Sequence, residues 1–160
     1  MGRDRSREGG TLIPVKPIPE GYHTVTPYLT VQGADEVIKF VENAFGARER
    51  MRLPGPGGTV GHAEIEIGDS LIMIADVDER GKITLAMIHL YMEDVDGVYA
   101  RAVAAGGTSI QEPEDKFYGD RSAAVQDSAG NQWYISTHVE DVPPDEMERR
   151  AAAAVAGQQQ

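Results

Sequence analysis

The chain carries the same unit twice, and that repetition restricts its fold more than any other feature. An offset of 61 residues (96 − 35) lays Asp35 on Asp96, Val37 on Val98, Ala44 on Ala105, Gly46 on Gly107 and Ile74 on Ile135. The identities are few, but the order of expected elements repeats with them. In the first half, TVTPYLTV (24–31) alternates and is rich in β-branched residues, as a strand should be. Val37, Ile38, Val41, Ala44 and Phe45 then form one apolar stripe of a helix that stops at Gly46. RERMRLP (48–54) reads as a strand closed by a Pro/Gly turn, and HAEIEIGDSLIMIAD (62–76) as two strands hinged at Gly68-Asp69. The second half follows suit. ITLAMIHLYM (83–92) is a strand, and Val95, Val98, Tyr99 and Ala102 stripe a helix with Asp94 in front and Gly106-Gly107 behind. Strands follow near 108–113 and 120–127, then a turn at Ser128-Ala129-Gly130 and a last strand, NQWYISTH (131–138).

Two βαβββ modules predict an α+β fold: a mixed, curved β-sheet with both helices on its convex side and a concave cavity. Strand alternation assigns the faces. Ala86, Ile88, Leu90 and Met92 belong to the helix side, and Leu85, Met87, His89 and Tyr91 to the concave side. His62, Glu64 and Glu66 likewise turn away from the helices, as do Gln132, Tyr134, Ser136 and His138, while Trp133 and Ile135 pack.

The ends differ from this middle. Residues 1–21 are rich in Arg, Gly and Pro and are expected to form a disordered or extended arm, with disorder to about residue 10. Residues 22–142 form the domain. Residues 143–160 are expected to give a short helix over about 144–152, opened by Pro143-Pro144-Asp145-Glu146, and a frayed Ala-rich tail.

Charge and composition remove several function classes. Lys and Arg total 15 against 26 Asp and Glu, a net charge of −11 that repels phosphate backbones and anionic membranes. Neither nucleic acid nor membrane is an expected partner, and the cytoplasm is the expected location. The absence of Cys excludes disulfides, thiolate nucleophiles and Cys-ligated zinc. The stretch PGPGG (54–58) lacks the following Lys-Ser/Thr of a phosphate loop, and no Ser sits in a nucleophile elbow.

The segments TPYLTVQGADEVIKFVENAFGA, GHAEIEIGDSLIMIAD, HLYMEDVDGVYARAVAAGG, FYGDRSAAVQDSAGNQW and STHVEDV resemble the glyoxalase, bleomycin-resistance and extradiol-dioxygenase superfamily, also called vicinal oxygen chelate proteins. The likeness is to its bacterial glyoxalase-like branch and covers roughly residues 22–145. It implies a homodimer whose pockets are built partly across the interface. In metal-dependent members, His, Gln or Glu from the first and last strands of each module hold one divalent ion. The positions that resemblance assigns here are Thr26, Met73, Met87 and Tyr134, a set that suits no hard or borderline divalent ion.

The expected function is therefore binding of a small organic molecule, for sequestration or for metal-independent transformation, with no metal and no cofactor. The expected ligand-contacting residues are Tyr28, His62, Glu64, Met73, Met87, His89, Tyr91, Phe117, Tyr118, Arg121 and Tyr134. A Tyr–Met wall adapts to flat or irregular ligands, and an acidic protein favours a cationic one. His89 is the candidate proton carrier, and Arg121 either clamps a carboxylate or phosphate or serves in a structural ion pair. No catalytic residue is assigned. Two other readings stay open: a metal-dependent lyase or isomerase of glyoxalase type using His62, Glu64 or His89, and a non-catalytic interaction module whose cavity its own side chains fill.

Overall fold

Leu29 and Val31 start the first module from a strand that proline shortens. Pro27 has no N–H to give a ladder, so β1 begins at Tyr28 and runs Tyr28–Val31, with the Pro27 carbonyl accepting from Met73 N at 2.9 Å. The computed structural model describes residues 15–158. After β1 come α1 (Ala34–Phe45), β2 (Arg48–Pro54), β3 (Val60–Ile67) and β4 (Ser70–Asp76). The second module is β5 (Met87–Tyr91), α2 (Val95–Ala104), β6 (Thr108–Asp115), β7 (Asp120–Gln126) and β8 (Gln132–His138), and α3 (Pro144–Gly157) ends the chain.

Each module is a four-stranded sheet of the same order, β1-β4-β3-β2 and β5-β8-β7-β6, with the first strand parallel to the last. The register repeats too. Tyr28 stands opposite Met73 and His89 opposite Tyr134, each pair displaced by the offset read from sequence. The sheets adjoin along their first strands, where Thr84 N donates to Thr30 O at 2.8 Å. Both helices lie on one side, and the core fills the space beneath them: Val37, Ile38 and Val41 of α1, Val98 and Ala102 of α2, and Ile65, Ile74 and Ile135 of the strands. Trp133 is fully buried, with its ring 5.2 Å from that of Phe45 and 6.5 Å from that of Phe40. Those rings join the two modules in a single core.

The duplication extends to how each helix is anchored. Asp76, last residue of β4, accepts from Gly33 N and Ala34 N at 2.9 Å, and its other oxygen accepts from Val60 N at 2.7 Å. At the equivalent place in β8, Thr137 Oγ1 accepts from Val95 N at 3.1 Å and donates to Met92 O at 2.7 Å. Both side chains satisfy amides that the first helical turn leaves without partners. Asp94 adds the expected cap, accepting from Gly97 N.

Two expectations for the ends need revision or lie out of view. The disorder expected over residues 1–10 falls outside the described residues. The C-terminal helix is longer than 144–152, because α3 continues through the Ala-rich run to Gly157. Arg150 supplies the anchor that composition hides: it binds Glu146 one turn back, both oxygens of Glu140, and the carbonyl of Phe117. A helix seeded this way propagates through alanines at little cost. No residue of α3 is buried, however. Deleting residues 153–160 should change the unfolding free energy by less than about 0.5 kcal/mol, measured by urea titration.

Candidate functional site: the concave face

The face opposite the helices gathers most of the polar and aromatic residues expected to meet a ligand. In the first module Tyr28, Met73, Glu64 and Met51 stand side by side across β1, β4, β3 and β2, and residues paired this way share a face. His62, two residues before Glu64, has Nδ1 2.9 Å from the Tyr28 hydroxyl and Nε2 3.9 Å from the Glu64 carboxylate. In the second module His89, Tyr134 and Ala124 occupy one row, and Tyr91, Ser136 and Ser122 the next. Alanine and serine there leave room beside the aromatics. The His89 ring lies 5.0 Å from Tyr91 and is stacked on Tyr134 at 6.4 Å. A hollow of about 510 Å³ runs between the modules, past Val25, Pro27 and Leu71 on one side and His89 and Tyr91 on the other.

Tyr91 is tied to a chain of titratable groups. Its hydroxyl donates to Asp120 Oδ2 at 3.0 Å, and Asp120 Oδ1 lies 2.8 Å from His138 Nδ1. The other ring nitrogen of His138 is 2.9 Å from Asp141. Asp120 is buried, so these hydrogen bonds replace the water it gives up on folding. Its hydrogen bond to Tyr91, reinforced by burial, raises the phenol's pKa and keeps it protonated. His138 can donate to both carboxylates only as the imidazolium. Asp141 and then Asp120 accordingly raise its pKa above the usual value. A histidine raised on folding adds stability that is complete below about pH 6.5, its unfolded value, and is lost as pH climbs through the folded value. His138→Gln should therefore destabilise at pH 6 and converge on the parent in alkali, a comparison for thermal melts across pH.

Other expected residues are placed differently. Arg121 faces the helix layer: its Nε and Nη2 hold both oxygens of Asp96 on α2 at 2.7 and 2.8 Å, and its Nη1 reaches Asp115. Strand parity explains this, since the Arg121 side shares Ala123 and Val125 with the core. The clamp expected of Arg121 is thus already closed on aspartates of this chain. Phe117 and Tyr118 pack edge to face beside the strand entrance, with Tyr118 close enough to influence the Tyr91 phenol. Gly119 follows with φ 95°, and a Cβ there would stand 2.2 Å from the Glu140 carbonyl. Met87 is 67% exposed and Tyr91 68%.

The positions matched to the superfamily's ion are a hydroxyl, two thioethers and a phenol. Thr26 and Met73 share one hollow, and neither Met87 nor Tyr134 lines it. This donor set does not fit a hard or borderline cation. Among the described residues no three His, Asp or Glu side chains converge on a metal-sized point, so His62, Glu64 and His89 do not assemble the substitute site either.

Sequence reasoning missed Asp120 and Tyr22. The first was within reach: a β7–β8 turn centred on Ala129 pairs residues symmetrically about it, which sets Asp120 opposite His138. Nothing in the sequence placed Tyr22, whose position depends on how the arm folds back.

The sequence profile of the Glyoxalase/Bleomycin resistance protein/Dioxygenase superfamily matches residues 22–135. The chain belongs to this superfamily. An uncharacterized protein of Mycobacterium tuberculosis (strain H37Rv) is 34% identical over 160 residues, covering 92% of this chain and 91% of that one. One from Mycobacterium bovis is 35% identical over 135 residues, covering 78% and 89%. Among solved structures, TioX from Micromonospora sp. ML1 is 25% identical with a TM-score of 0.59, over 72% of this chain and 99% of that one. The fosfomycin resistance protein FosX from Mesorhizobium loti shares the fold at 17% identity and TM-score 0.53, over 72% and 91%. The superfamily hosts several chemistries on one scaffold, so the fold alone assigns none of them. No helix among the described residues is long and apolar enough to cross a membrane.

Proposed function

We propose that this superfamily member binds a small organic molecule on its concave face without a metal ion, sequestering or transforming it. The observation that carries the reading is the character of that face. It is lined by Tyr28, Met73, His89, Tyr91 and Tyr134, while the ion's positions hold side chains that ligate poorly. We further propose that two chains work together. Ile83, Leu85, Met87 and Tyr91 are exposed along β5 and the segment before it, an apolar surface that a second copy can cover. A second copy laid there brings its own half-face to the first. The cytoplasm is the proposed location, since a chain without cysteine gains nothing from an oxidising compartment.

A thermal-shift screen of drug-like aromatic compounds, run beside metal analysis of protein prepared without chelators, tests this reading. A binder held at 100 times its Kd should add about 2.7 kcal/mol of stability. His89→Ala should weaken that binder at least several-fold and leave the melting temperature of the free protein within a few degrees. Stoichiometric Ni, Zn, Mn or Fe with hemithioacetal isomerase turnover would defeat the metal-free reading. A light-scattering mass of 17.3 kDa, that of one chain, would defeat the dimer.

A further inference from the structure

The arm over residues 15–27 runs beside the first module's sheet and shares a hollow with Glu64 and Met73. Its course is set by a turn. Tyr22 N donates to Pro19 O at 3.1 Å, and Gly21, at φ 82°, takes the left-handed conformation that a type II turn requires at its third position. The turn returns the chain to the sheet at Tyr22. Pro17, Ile18, Pro19 and Tyr22 then face Glu64 and Met73 across a hollow of about 460 Å³.

One atom in that hollow is out of balance. The Tyr22 hydroxyl is buried beside the Glu64 carboxylate, yet it completes no well-formed hydrogen bond with any described residue. Burial, and then the hydrogen-bonding reach and charge of Glu64, push its pKa up to about 12 against the opposing charge of Arg50, so it keeps its proton. Among the described residues no lysine or arginine forms an ion pair with Glu64, and its nearest basic side chain is the His62 ring at 3.9 Å. Arg50 lies against Gly21, near enough for its charge to reach the Tyr22 phenol, but it does not line the hollow. A phenol and a carboxylate side by side, with lone pairs on both left over, match a group with several N–H donors.

We propose that the arm and the first sheet form a subsite for a protonated amine. Its N–H groups reach Glu64 and the Tyr22 oxygen, and its hydrocarbon stem lies against Pro17, Ile18, Pro19 and Met73. The proposal rests on the concave face being the binding surface, and it names the ligand's chemical class. It makes Tyr22, which a purely structural residue would not be, a residue with opposite effects on the free and the bound protein.

Calorimetry with 4-phenylbutylamine, 4-phenylbutan-1-ol and 4-phenylbutyrate, three probes that share a stem, tests it. The amine should bind at least tenfold more tightly than the carboxylate, and Glu64→Gln should remove that preference. Tyr22→Phe keeps the ring, so the free protein should melt at the same temperature or higher, while its affinity for the amine falls several-fold. A lower melting temperature for Tyr22→Phe would show the hydroxyl already bonded and overturn the subsite. So would equal affinity for amine and carboxylate, or no amine binding at millimolar concentration. Amine binding that His89→Ala weakens but neither Tyr22→Phe nor Glu64→Gln affects would overturn the subsite and leave the concave-face reading standing.

Discussion

Replacing Asp127 with alanine is expected to lower the unfolding free energy by about 4 kcal/mol, the largest effect of any single polar substitution in this chain. One oxygen of this buried carboxylate accepts from the amides of Ala129, Gly130 and Asn131 at 2.9 to 3.0 Å. The other accepts from Asn131 Nδ2 at 2.8 Å and from Trp133 Nε1 at 2.9 Å. Alanine strands four donors at once, since Gly130 N keeps its second acceptor, the Asp127 carbonyl, at 3.2 Å. Two of them belong to side chains with no exposure to water, so solvent cannot replace what is lost. The damage also spreads along the chain. Asn131 passes the order on through its Oδ1, which accepts from Ala86 N at 3.0 Å just before β5, and Trp133 is the ring on which both modules meet. For a domain of this size the melting temperature should fall by roughly 10 °C. Asp127→Asn should fall between parent and alanine, since its carbonyl keeps the turn amides while its NH₂ opposes the two side-chain donors. An alanine variant within 1 kcal/mol of the parent, by urea unfolding at unchanged slope, would show that the turn stands without its carboxylate.

Asp76→Ala should be the second most damaging, at about 3 kcal/mol. Three amides lose their acceptor, two at the start of α1 and one at the start of β3. A negative charge at that helix end also disappears. The second module offers an internal control. Thr137 does the same task with one neutral oxygen and one amide, so Thr137→Ala should cost only about 1 kcal/mol. The two sites lie in different modules and share no partner, so their effects should add in the double variant. Equal losses at the two positions would mean that the caps matter less than the burial around them.

Much of this architecture was legible in the residues because it depends on periodicity. The stripe from Val37 to Phe45 and the alternation in HAEIEI can each satisfy one geometry only, and the offset of the two halves carries the register with it. The faces of β3, β5 and β8 followed from their alternation. Contacts made by side chains across the fold were harder to foresee. Arg121 looked available for a ligand because Asp96, its partner, is 25 residues away in sequence and meets it only once α2 packs on β7. The length of α3 was underestimated for the same reason, its anchor being Arg150 on Glu140 and Phe117. Tyr22 illustrates the limit: a proline-rich arm has no period, and its path is decided by one turn and the surface it lands on.

The carboxylate of Asp127 and the two helix anchors, Asp76 and Thr137, bond to main-chain groups and to core side chains; none bonds to the side chains of Tyr28, Met73, His89 or Tyr134. Under the proposed function, the parts that secure the chain and the parts that would meet a guest are therefore different residues. Mutations among Tyr28, Met73, His89 and Tyr134 would then alter recognition at little risk to folding. A lineage could exchange one guest for another there in single steps, each step yielding a protein that still folds.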